Sequence, residues 1–84
     1  AQGNQMEPLL VVLKPHQGLD EDSPHSGEEF GFVISGKILL TIGEKKYVVR
    51  KNEAFYYPAN QVHKIENTSG SPAKLIWVST PPNF

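Results

Sequence analysis

The strongest constraint on this chain is the cadence of its apolar residues. Each apolar run is short and is cut off by Gly, Pro, Asn or a charged turn. LLVVLK (9–14), EFGFVIS (29–35), KILLTI (37–42), KYVVR (46–50), AFYYP (54–58), HKIEN (63–67) and AKLIWVST (73–80) read as strands. They are rich in the β-branched and aromatic residues that suit a pleated surface. Between them, PHQGLDEDSPHSG (15–27) reads as a polar loop, and GEK (43–45), KNE (51–53) and TSGSP (68–72) as turns. No window carries the apolar stripe of a helix, and Pro81 and Pro82 bar one at the chain end. Strands at this spacing predict an all-β sandwich or barrel. Closing the sheet would remove exposed strand edges.

In KILLTI, Ile38, Leu40 and Ile42 share one face. In EFGFVIS one face carries Glu29, Gly31, Val33 and Ser35, and the other Phe30, Phe32 and Ile34. A strand apolar on both sides needs cover on both sides. In a chain of 84 residues, a second copy can supply it, so a homodimer is expected. One domain is the only sensible count at this length. There is no Cys, so no disulfide or thiolate site can staple the fold. Eight basic against nine acidic side chains give a net charge of −1, which predicts no field for nucleic acid or anionic lipid. No apolar run approaches the ~20 residues of a membrane helix, and PLLVVL (8–13) is not framed as a signal peptide. Residues 1–7 read as a linker or an added remnant, and 8–84 as a single domain.

Three side chains stand out as metal ligands: His25, Glu29 and His63. Two imidazoles and a carboxylate leave open positions on Zn, Mn, Fe, Ni or Cu. Spacing alone leaves the plainer readings standing. His25 reads equally as a solvated loop residue, Glu29 as an exposed strand end and His63 as a satisfied core histidine. His16 is read as surface loop. Phe32, Phe55, Tyr56, Tyr57 and Trp77 could wall a cavity or simply pack the core.

The frame around these residues resembles the cupin family, small jelly-roll β-barrels. The family's first motif is roughly G-x5-H-x-H-x(3–4)-E-x6-G. His25, Glu29 and Gly36 match its second half in spacing. The second motif is roughly G-x5-P-x-G-x2-H-x3-N, and Asn52, Pro58, Asn60, His63 and Asn67 match its spacing throughout. Gly36, Asn52 and Asn60 are then expected where a turn needs left-handed backbone. Asn67 is expected to tie a turn with its amide. The family's first histidine falls on Ser23 here. The resemblance therefore implies either one divalent transition metal (Zn, Mn, Fe, Ni or Cu) on His25, Glu29 and His63, or the same three groups as polar anchors. Ligand contacts are expected from His25, Glu29, His63, Ser23 and Phe32.

GEEFGFVISG (27–36) and TPPNF (80–84) look like segments of the C-terminal sensor domain of Xre-type helix-turn-helix regulators of bacteria. That likeness implies a cytoplasmic, dimerising module for a small-molecule effector, with DNA bound by a separate N-terminal domain and not by this one. The rival expectation is a stand-alone metal-dependent cupin enzyme, of dioxygenase or isomerase type. A third is a domain used only to oligomerise.

Overall fold

A computed structural model describes residues 6–81. Seven strands form in the expected places: β1 (Glu7–Leu13), β2 (Glu28–Ser35), β3 (Lys37–Ile42), β4 (Lys45–Arg50), β5 (Ala54–Pro58), β6 (His63–Glu66) and β7 (Ala73–Thr80). No helix forms among the described residues, so none there is long and apolar enough to cross a membrane. Most of the proposed linker, and the end of the TPPNF segment, lie outside the described residues.

The strands make two antiparallel sheets, ordered β1-β7-β2-β5 and β4-β3-β6. Their facing sides bury Leu13, Val33, Ile38, Leu40, Val49, Phe55, Tyr57, Ile65, Leu75 and Trp77. The expected closure is therefore partial. β4 and β5 follow one another in the chain, yet each is the outer strand of a different sheet. A cavity of about 840 Å³ opens along that seam, lined by Leu40, Ile42, Tyr47, Phe55 and Tyr57 among others.

Two glycines explain how the sheets come together. Gly36 takes φ 73°, a left-handed turn that costs other residues a clash between Cβ and carbonyl. There the chain leaves β2 in one sheet and enters β3 in the other. Gly31 pairs with Phe55 across β2 and β5, and a Cβ on it would overlap the Phe55 ring. The bare backbone lets that ring lie flat over β2. Asn52 is left-handed as expected, at φ 68°. Asn60 is not among the positive-φ residues, whereas His16, at φ 60°, is. The turn at Asn60 needs no left-handed residue, because Ala59 on one side is anchored by its own backbone bonds to Gly27 and His25.

The loop 14–27 is more ordered than its polarity suggests. Leu19 N donates to Ile65 O at 3.0 Å, Asn67 N to Gln17 O at 2.8 Å, and Asp22 N to His63 O at 2.8 Å. The loop thus lies along the free edge of β6, covering backbone groups that would otherwise be unpaired. Asn67, buried, holds the far end: its Nδ2 donates to Ser71 O (2.7 Å) and Lys14 O (3.2 Å), and its Oδ1 accepts from Ser69 (2.7 Å).

Candidate metal centre

The period-2 alternation of β2 turns Glu28 outward and Glu29 into the space between the sheets, where it is 1% exposed. An isolated carboxylate there would be costly. The sheet register supplies its partners. Tyr57 of β5 sits directly opposite Glu29, and Trp77 of β7 is its diagonal neighbour on the same face. Tyr57 Oη donates to Glu29 Oε1 at 2.9 Å, and Trp77 Nε1 donates to the same oxygen at 2.6 Å. Burial first, and then the Glu29 carboxylate, push the Tyr57 phenol well above its ordinary pKa. It therefore stays protonated and keeps donating.

The other oxygen of Glu29 faces two histidines. His25 is held by its backbone N–H, which donates to Ala59 O at 2.8 Å. Its Nδ1 lies 3.0 Å from Ser26 O, and its Nε2 lies 3.0 Å from Glu29 Oε2. His63 opens β6 and is 1% exposed. Its Nδ1 lies 2.9 Å from Gln61 O, and its Nε2 lies 3.3 Å from the same Glu29 oxygen. A carbonyl oxygen only accepts, so each Nδ1 carries the proton. In the neutral rings, both Nε2 lone pairs then point at a carboxylate oxygen. His63 Nε2 is buried and has no hydrogen-bond partner.

Three acceptors so arranged repel one another unless something positive lies among them, either a proton on an imidazole or a metal ion. One ligand atom from each of His25, Glu29 and His63 falls within 4.8 Å of the others. The carbonyl bonds at both Nδ1 atoms are the outer support that metal-binding imidazoles use to fix ring orientation and tautomer. The donor set is mixed nitrogen and oxygen without thiolate, which suits a first-row divalent cation. The residues fit such an ion.

The structure brings His25, Glu29 and His63 together. It does not bring the other two expected ligand contacts to them. Phe32 lies three residues from Glu29, so alternation sends it to the opposite, outer face of the sheet, where it is half-buried. Ser23 is exposed. Two contributors were missed as members of the site. Trp77 and Tyr57 were read chiefly as packing, and both donate to Glu29. Asp22, read only as loop, places Oδ2 3.4 Å from His63 Nε2.

The model of the cupin domain matches residues 9–79. This chain belongs to the cupin family. The fold agrees: a cupin-like structure from Thermus thermophilus, TT1209, superposes with a TM-score of 0.87 at 26% identity, covering 96% of this chain and 77% of that one. The Cupin_2 domain of an XRE family transcriptional regulator from Enterobacter cloacae superposes at 0.83 with 20% identity, covering 94% of this chain and 84% of that one. Among curated proteins, the cupin matches the HTH-type transcriptional regulator PuuR of Escherichia coli at 29% identity, over 98% of this chain and 46% of that protein. It also matches mannose-1-phosphate guanylyltransferase 2 of Escherichia coli O157:H7 at 33% identity, over 94% of this chain and 16% of the enzyme. The chain thus spans less than half of either relative. Cupins related to this one occur beside both regulatory and sugar-nucleotide functions.

Proposed function

We propose that this cupin is the ligand-sensing and dimerising domain of a bacterial transcriptional regulator. The observation that carries the sensing part is the convergence of two Nε2 lone pairs and a buried carboxylate oxygen on one point between the sheets. His25, Glu29 and His63 would hold a divalent ion, whose open positions let a small polar effector coordinate. Glu29 is the fixed member, pinned by Tyr57 and Trp77. The seam between β4 and β5 falls in the size range of small-molecule sites, and Tyr57 links its wall to Glu29. The regulatory part is supported by the near full-length match to PuuR. Residues 8–84 make the sensor, residues 1–7 lead into it, DNA contact belongs to another domain, and the cytoplasm is the compartment.

The dimer part is supported by the outer face of the β1-β7-β2-β5 sheet. Leu10, Phe30, Tyr56 and Ile76 are exposed there and neighbours in the register, with Phe32 and Val78 beside them. Glu28 lies at one end of this face and Lys74 at the other. A two-fold axis across the strands would set Glu28 of each copy against Lys74 of its mate. Tyr56→Lys should give monomers by sedimentation; a monomeric parent chain would refute this arrangement.

The sensing test is a thermal melt of the purified domain, metal-loaded, against a panel of small carboxylates, polyols and sugar phosphates. A stabilising compound that is recovered unchanged, and has no effect on His63→Ala, supports a sensor. Conversion of that compound supports the second reading, a sugar-directed cupin enzyme, which the guanylyltransferase match favours.

A further inference from the structure

His63 Nε2 has a second carboxylate beside it. Asp22 Oδ2 lies 3.4 Å away, nearly as close as Glu29 Oε2 at 3.3 Å. This is not a chance approach of a loose side chain. Asp22 N donates to His63 O at 2.8 Å, and His63 N donates back to Asp22 O at 3.1 Å, so the two residues form an antiparallel bridge. Residues bridged in that way project their side chains to the same side. The backbone therefore delivers the Asp22 carboxylate to whatever His63 Nε2 faces. Because Gln61 O holds the proton on Nδ1, that nitrogen presents a lone pair between two carboxylate oxygens. Only a cation makes this grouping attractive.

We propose that Asp22 is a fourth protein ligand to the ion held by His25, Glu29 and His63; the inference rests on the metal reading above. The two carboxylates occupy different settings. Glu29 is 1% exposed and fixed by two donors, whereas the Asp22 side chain is 40% exposed and carries the loop 14–27 with it. Two imidazoles and two carboxylates neutralise a divalent charge and favour Mn(II), Fe(II), Co(II) or Zn(II) over softer ions. Asp22 is then the ligand an incoming effector can displace, since it alone of the four sits at the solvent side. Its release would free the loop strapped along β6.

The test uses metal-stripped protein titrated with Co(II), read by calorimetry and by the visible absorption of the bound ion. Asp22→Asn should weaken Co(II) by at least about tenfold, in the range lost when a metal-site partner is removed, and should alter the visible bands. Asp22→Glu should keep affinity within a few-fold, and Ser23→Ala should change neither readout. Equal affinity and an unchanged spectrum in Asp22→Asn would overturn the fourth ligand while leaving the triad intact. Weaker binding with an unchanged spectrum would also overturn it, by showing that Asp22 acts only through the field at His63. A parent chain that takes up no Co(II), or takes it up equally after His63→Ala, would overturn the metal reading and Asp22 with it.

Discussion

Replacing Trp77 with Phe keeps an aromatic ring in the core and removes one N–H. That N–H donates at 2.6 Å to a carboxylate oxygen that is 1% exposed. A hydrogen bond to a charged group contributes about 1.5–3 kcal/mol. The smaller ring also leaves unfilled space, worth about 1–2 kcal/mol at a 5% exposed position. The expected loss is therefore about 3–5 kcal/mol, a large share of the ~5–15 kcal/mol that holds a small domain together. At roughly 4–8 °C per kcal/mol, the melting temperature should fall by about 12 °C or more. The charged part can be separated from the packing part. In a Glu29→Gln background the acceptor is neutral, and a neutral hydrogen bond contributes only about 0.5–1.5 kcal/mol, while the ring change is the same. Trp77→Phe should then be milder by about 1–2 kcal/mol. The assay is urea unfolding by circular dichroism on all four proteins, stripped of metal with a chelator. Equal losses in both backgrounds would refute the argument, since they would mean that Trp77 stabilises the fold by packing alone.

Gly31→Ala should destabilise by about 1–3 kcal/mol through collision with the Phe55 ring, with partial recovery on adding Phe55→Leu, both read by thermal melting. Asn67→Ala should lose about 2–4 kcal/mol in urea unfolding, because its amide serves the carbonyls of Lys14 and Ser71 and its oxygen serves Ser69. Tyr57 is held neutral in the fold, so its contribution is complete below about pH 10, where the unfolded phenol begins to ionise, and is lost as the pH rises beyond it. Tyr57→Phe should flatten the fall of stability between about pH 10 and 11 in denaturant titrations; an unchanged slope would refute the assignment.

The strands were legible because every one is bounded by residues whose backbone preferences end it. KILLTI is the plainest case, running between Gly36 and Gly43, both left-handed. The three central ligands were legible from their place in the two cupin motifs. Phe32 was misassigned although the sequence held the answer, since an odd separation from Glu29 on one strand means opposite faces. Trp77 and Tyr57 are different. They meet Glu29 from strands 48 and 28 residues further along the chain, and the register that joins them depends on pairings a single sequence does not reveal. Asp22 was hidden for a related reason: its bridge to His63 is made by a segment whose polarity marks it as loop.

β2 has two sides one residue apart. Glu29 looks inward at the histidines, while Phe30 looks outward beside Tyr56 and Val78. Whatever settles on the outer surface presses on the same short stretch of backbone that aims the buried acid. A small roll of that stretch would be felt on both sides at once, and by linkage the influence must run equally in either direction.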